Sequence, residues 1–473
     1  MSDELTSLSA VRLVELMRGR EVSPVEVLDA HLRRAERLNP RLNAVVTFAP
    51  DALERAREAE RAVMRGDELA PLHGLPVTIK DTIDTAGLLT TSGSRARAEN
   101  VPTHDAPAVA CLRAAGAIIF GKTNTSELAL DYTSENPLFG RTLNPHDVAR
   151  TPGGSSGGCA AAVAACLSPA SLASDMTGSI RIPAHFCGVV GLKPTVGAVP
   201  AAGHFPPTEG ACSLAASLGP IARRVDDLAL LFDALSTRVQ TPFQSSHPAR
   251  ALRGLRVAFY TNDGLTPVTD ETKAAVEMAA RSLAEAGCTV VEARPPGVER
   301  APDLWLALFA RSVRGVVREL YAGREEMAGS AARTLLGRDA LPAQTLDEFF
   351  AAWLERDRLL ARLVEWMSDA PLLVAPVGAT PAFEHGARRV EVKDQTVSLF
   401  RAFSYAQTFN VFGLPAASVP AGRTHEGLPV GVQIVGCPDE EPTVLAAARV
   451  VEEASGGWQL PKLSLPTAGG DGL

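Results

Sequence analysis

Over the first eighty residues, apolar positions recur at the helical period that lets one face of a helix be buried. A segment led by Ser9 comes first, then VEVLDAHLRRAERL opened by Ser23-Pro24, then ALERAREAERAVMRG closed by Gly66. Serine or proline at the start and glycine at the stop predict three helices. From residue 75 the texture changes to short apolar runs alternating with helical stretches, as in PVTIKD, AGAIIFGK, RVAFY, CTVVEA, PLLVAPV, PAASVP and GVQIVG. That alternation predicts an α/β architecture. Residues 151–199 break the pattern with a run of Gly, Ser and Ala, whose small side chains let backbones approach closely and suit a catalytic core more than a linker. A weak boundary is expected near 236–252, a variable helical stretch at 297–370, and a frayed end at LPTAGGDGL. No internal repeat is present.

Composition narrows the function more than the fold. The chain of 473 residues is 46% hydrophobic and 21% charged, which is ordinary for a globular protein with a large core. A net charge of -8 with no run of five or six like charges offers no electrostatic footprint for a nucleic acid. The acidic start without an apolar leader, and the absence of eighteen consecutive apolar residues, give no sign of a membrane partner and lead us to expect a cytoplasmic protein. Seven cysteines, an odd number without a C-x-x-C pair, predict free thiols. The nine histidines include no i, i+4 pair, so a protein-built zinc site has little support.

Two short motifs match patterns whose structural context is missing. Residues 116–123, GAIIFGKT, fit the phosphate-loop spacing, but the four residues between the glycines read as a strand rather than a cradling turn. Residues 153–157, GGSSG, fit the nucleophile elbow, which needs a strand running straight into the serine. FGRTLNPHDVARTP precedes it instead. An esterase built on Ser155, with His385 or His425 completing a triad, is therefore the alternative reading.

Only six lysines occur, and Lys80 ends the strand-like run GLPVTIKD. Beside Val77 and Ile79 it is expected to be partly desolvated, which lowers an ammonium pKa toward a range where the neutral amine acts as a base. The competing reading is a surface lysine stretched beside Asp81. Ser155 and Ser156 lie between glycine pairs, open to close approach. Ser179 follows Asp175, Met176, Thr177 and Gly178, on a turn whose successive amides could hold an oxyanion while the hydroxyl attacks a carbonyl. Each of these features, taken alone, also has a purely structural reading.

Read jointly, GLPVTIKD, GGSSGG and SDMTGSIRIPA resemble the amidase-signature family. The resemblance extends along nearly the whole chain, through AAGAIIFGKTNTSELA, SENPLFGRTLNPHD, FCGVVGLKPT, GPIARRVDDLALLFDAL and GLPAASVPAGRTHEGLPVGVQIVG. It implies one domain over 1–473 with a mixed central β-sheet covered by helices: N-terminal helices at 1–70, a catalytic core at 71–235, a variable helical insertion at 297–370, and the rest of the core at 371–460. It further implies Ser179 as nucleophile, Ser155 as relay, Lys80 as base, a cis peptide at Gly154–Ser155, and an oxyanion hole from the amides of Met176, Thr177, Gly178 and Ser179.

The implied reaction is acyl transfer through an acyl-Ser179 intermediate, with a small-molecule amide as substrate and no metal or organic cofactor. A homodimer is compatible with it. Thr177 departs from the family, which usually carries glycine there, so the shape of the pocket is open. The amidotransferase branch, which supplies ammonia to a partner, usually carries an acidic residue shortly before its G-L-P-A motif. RAFSYAQTF at 401–409 has none, so a free-standing hydrolase is expected. An inactive binding protein of the same fold is the remaining alternative. GHFPP at 203–207 is similar to general amidases and leaves the acyl group undetermined.

Overall fold

The computed structural model describes residues 2–238, 252–337, 341 and 343–463. The expected boundary near 236–252 falls largely outside the described residues, and LPTAGGDGL lies wholly outside them.

Capping chemistry places the N-terminal helices. Ser23 accepts the Glu26 amide while the Glu26 carboxylate takes the Ser23 amide, a capping box opening Pro24–Leu42. Ser9 caps Ala10–Arg18, and Gly66, at φ 77°, ends Ala52–Arg65. Leu13, Val27 and Leu28 carry the apolar faces of the first two into the larger core.

The chain then builds a mixed sheet of eleven strands. In chain order these are β1 (Val45–Phe48), β2 (Pro76–Lys80), β3 (Ile118–Thr123), β4 (Ala170–Asp175), β5 (Val190–Lys193) and β6 (Ser217–Ala222). They continue with β7 (Arg256–Phe259), β8 (Thr289–Glu292), β9 (Leu372–Pro376), β10 (Ala416–Arg423) and β11 (Pro429–Gly436). The order across the sheet is β1-β3-β2-β4-β6-β5-β10-β11-β9-β7-β8. Strands β2, β3 and β4 run parallel, as do β7, β8 and β9, while the pairs between β4 and β11 are antiparallel.

Seven of the eleven strands coincide with the apolar runs named from the sequence. Strands β1, β4, β5 and β6 are not among them. The reason is clearest in β4, ASLASD, and β6, SLGPIA, whose residues are buried at every position. A strand covered on both faces shows no alternation, and small residues carry no strand signature. Residues 118–123 form a strand, preceded by the helix Pro107–Ala114, so no phosphate-cradling turn exists at 116–123.

The described residues of 297–370 are mainly helical, in Ala301–Leu308, Ala310–Tyr321, Ser330–Leu336 and Leu346–Asp369. It packs beside an aromatic second core containing Phe186, Phe403 and Phe409. No described helix is long and apolar enough to cross a membrane.

Candidate active site

Strands β2 and β4 are parallel neighbours, with Ile79 opposite Leu172, so their C-terminal ends reach the same edge of the sheet. That edge is where open α/β sheets place ligands. Lys80 is the last residue of β2 and is completely buried, with Val77 and Ile79 buried in the same strand. Its Nζ lies 2.7 Å from Ser155 Oγ and 2.9 Å from Ser174 Oγ. Burial lowers the lysine to about 7, against smaller opposing effects from Cys159 and Asp175. A large fraction of Lys80 is therefore neutral near pH 7 and able to accept a proton.

Ser155 stands on a loop just before the buried helix Gly157–Ala164. Ser134 pins this loop, donating from its hydroxyl to the Gly153 carbonyl at 2.9 Å and accepting the Gly157 amide at 2.8 Å. Gly154 fits where a Cβ would collide with the Thr133 backbone, and the Gly154–Ser155 peptide is cis. The loop is tied to the next functional segment by its neighbour. The Ser156 amide donates to the Ser179 carbonyl at 3.3 Å, and the Ser156 hydroxyl to the Ser174 carbonyl at 3.2 Å.

The turn that carries Ser179 is wrapped around one carboxylate. Asp175 ends β4 and accepts the amides of Gly178 at 2.7 Å and Ile180 at 3.1 Å. It also forms a two-pronged pair with the Arg181 guanidinium, both contacts at 3.0 Å, with both side chains fully buried. Burial alone would raise this carboxyl, but the charge and hydrogen bonds of Arg181 hold it well below the usual carboxylate range. Asp175 is thus an ionised post around which the turn carrying Ser179 is fixed. Gly178 takes φ 101°, and a Cβ there would come within 2.6 Å of Ala406 Cβ. Thr177 is absent from the residues with positive φ, so the strained position belongs to the glycine.

Ser155, Ser179, Met176 and Thr177 share a cavity of about 460 Å³. Gly178 does not line it, and its amide is committed to Asp175. Of the four residues expected to form an oxyanion hole, Met176, Thr177 and Ser179 line the cavity. Tyr132 also lines the cavity, and its hydroxyl accepts from Gln407 at 2.7 Å. The rest of the wall is mostly apolar, including Leu130, Leu218, Trp305, Val313 and Phe400. Neither His385 nor His425, the two histidines offered for the elbow reading at Ser155, lines it. Among the described residues no group of three His, Cys, Asp or Glu is arranged to hold a metal ion.

A family model described as Amidase matches residues 26–445. The chain belongs to the amidase-signature family. Curated relatives of this amidase-signature protein include a glutamyl-tRNA(Gln) amidotransferase subunit from Koribacter versatilis, 34% identical over 96% of this chain and 99% of that one. The subunit of the same name from Thermus thermophilus is 37% identical over 92% of this chain and 94% of its own. Among solved structures, a bacterial aryl acylamidase of the amidase-signature family superposes with a TM-score of 0.85 at 28% identity, covering 95% of this chain and 96% of that one. A 6-aminohexanoate cyclic dimer hydrolase complexed with substrate gives 0.83 at 29%, covering 97% and 99%. The expectation of a free-standing hydrolase thus meets curated relatives that carry the other name, and sequence similarity leans toward the amidotransferase alternative.

Several residues of this amidase-signature site do not stand out in the sequence. Ser174 borders Lys80 and is backed by His204 of the GHFPP stretch already singled out, Trp305 donates its indole N–H to the Met176 carbonyl at 3.1 Å, and Asn410 and Gln433 hold Arg181 from the far part of the sheet. One signal is available. Asp175, Arg181 and Lys193 are the only charged residues between 151 and 199, and all three are buried. Isolated charges in an apolar run have to find one another.

Proposed function

We propose that this protein hydrolyses small-molecule amides that carry an apolar acyl or aryl group, with Ser179 as nucleophile. Neutral Lys80 draws the Ser155 proton, Ser155 draws that of Ser179, and Ser179 attacks the amide carbonyl while the amides of Met176, Thr177 and Ser179 stabilise the oxyanion. The proton returns to the leaving nitrogen, the amine or ammonia departs, and water releases the acid from Ser179. The observation that carries the reading is a fully buried lysine, lowered to about 7, within 2.7 Å of a serine that shares one apolar cavity with Ser179.

The second reading is an amidotransferase component that releases ammonia from glutamine for partner subunits, and the curated relatives favour it. The cavity favours the first. Glutamine carries a charged α-amino and α-carboxylate, yet no lysine or arginine lines the cavity among the described residues. Its two carboxylates are already paired, Asp131 with Arg388 at 2.8 Å and Asp175 with Arg181. Seven unpaired cysteines fit a reducing, cytoplasmic setting for either.

The experiment is a panel of aryl and alkyl amides beside glutamine, assayed for released amine or ammonia with the isolated chain. Turnover of the apolar amides that disappears in Ser179→Ala, and falls less in Ser155→Ala, is the expected result. Glutamine hydrolysis dependent on added partner subunits, with every apolar amide untouched, would replace the first reading by the second. Full turnover in Ser179→Ala would remove the nucleophile from both.

A further inference from the structure

GHFPP at 203–207 lies outside the proton path from Ser179 to Lys80, yet its histidine stands at the cavity wall. We infer that His204 is a positioning residue that aims the lone pair of Lys80 at Ser155, by fixing the direction of the hydrogen bonds around the lysine. The inference rests on the reading of Lys80 as the base.

The backbone ties His204 to the end of the lysine strand. Ile83 and His204 form a β-bridge, the Asp84 amide donates to the Gly203 carbonyl at 2.8 Å, and the Phe205 amide to the Thr82 carbonyl at 2.8 Å. The ring is then oriented by an acceptor that cannot donate. His204 Nδ1 lies 2.7 Å from the Pro206 carbonyl, so Nδ1 carries the proton. In the neutral imidazole Nε2 must be the acceptor. Burial and the nearby charge of Lys80 hold His204 down to about 3, so the ring is neutral under ordinary conditions.

The consequence passes through Ser174. Its hydroxyl oxygen lies 3.0 Å from His204 Nε2, so its one proton points to the ring. The oxygen is left to accept, and the nitrogen of Lys80 is 2.9 Å away. A neutral amine has two N–H groups and one lone pair. Ser174 takes an N–H and cannot compete for the lone pair, which is left for the Ser155 hydroxyl at 2.7 Å. Without the ring nitrogen, Ser174 is free to turn its proton into the lone pair of Lys80 and block the base.

The test measures kcat and KM for a turned-over amide, together with the rate of fluorophosphonate labelling at Ser179. The proteins are wild type, His204→Phe, His204→Gln, Ser174→Ala, Lys80→Ala and the Ser174→Ala/His204→Phe double variant. His204→Phe should lower kcat and the labelling rate about tenfold, leaving KM within about threefold. His204→Gln, whose side-chain oxygen can accept from Ser174, should recover to within about threefold of wild type. In the Ser174→Ala background, His204→Phe should change kcat by less than about twofold, because the group it acts through is gone.

A tenfold loss that persists without Ser174, or a rise in KM at constant kcat, would overturn the inference and leave His204 as a wall of the cavity. Should His204→Phe not fold, His204→Leu against His204→Gln makes the same comparison between a side chain without an acceptor and one with it. Full activity in Lys80→Ala would remove the base reading, and this inference with it.

Discussion

The ionisation of Lys80 gives the sharpest prediction, because the structure assigns both its direction and its position on the pH scale. Burial lowers the side chain from 10.5 to about 7. If the neutral amine is the base, kcat/KM should follow its fraction, about one-eleventh at pH 6 and about ten-elevenths at pH 8. The expected profile is a rise of about tenfold between these values and a plateau above them. A lysine left at 10.5 gives a different curve, rising about a hundredfold over the same interval and still climbing at about pH 9. His204, held down to about 3, cannot produce an inflexion near 7. Lys193 is also lowered to about 7 by burial and then by Arg181, but it does not line the cavity.

Stability should report the same group with a definite sign. Since the folded-state pKa lies below the unfolded one, the unfolded chain binds more protons between about 7 and 10.5, and stability rises with pH in that window. The unfavourable contribution is fully present below about 7 and fades toward 10.5. Lys80→Met should therefore gain stability relative to wild type by more at pH 6 than at pH 10. The difference between the two pH values should be about 4 kcal/mol, since the full shift is worth about 5 kcal/mol and about 1 kcal/mol of it is still present at pH 10. The assays are a pH series of kcat/KM on an aryl amide and chemical denaturation of both proteins at the two pH values. A log-linear rise through pH 9, or an inflexion near 7 that survives in Lys80→Ala, would refute the reasoning.

Two further outcomes are expected. Thr177→Gly removes a side chain from the cavity lining while leaving the backbone amide in place; kcat/KM for a short amide should stay within about tenfold while preference among bulky acyl groups shifts, and losses beyond about a hundredfold on both would place Thr177 in the chemistry itself. Asp175→Ala strands the buried Arg181 without its counter-charge and releases the turn, so it should destabilise the protein by about 3–5 kcal/mol and suppress labelling of Ser179 even where it remains folded; a wild-type melting temperature with normal labelling would contradict the role of the carboxylate.

The fold is legible in the sequence wherever burial leaves a periodic trace. The N-terminal helices announce themselves through Ser9, Ser23-Pro24 and Gly66, and strands such as GVQIVG through compact runs of branched residues. Strands β4 and β6, which build the floor of the site, are not, because Ala, Ser and Gly packed on both faces look alike in any conformation. In the site, Lys80 and Ser155 stand out by their neighbours in sequence, and the structure brings them to 2.7 Å. Ser174 and Asn410 do not, since their importance comes from what lies across the fold. The family resemblance counts Gly178 in the oxyanion set, and only the three-dimensional path of Asp175 reveals that its amide is already engaged. Substrate choice is the least legible element, because the cavity wall is drawn from residues as far apart as Leu128 and Phe400.

The anchoring of Arg181 bears on when the chain acquires a reactive serine. Its guanidinium reaches Asn410 Oδ1 at 2.6 Å and Gln433 Oε1 at 2.7 Å, more than two hundred residues further along the chain. During synthesis from the N-terminus, Lys80, Ser155 and Ser179 emerge long before either partner exists. The turn that presents Ser179 is therefore completed among the last events of assembly, after strand β11 has joined the sheet. A nascent or truncated chain would carry every polar group of the proposed relay and still lack the frame that holds Ser179 in place.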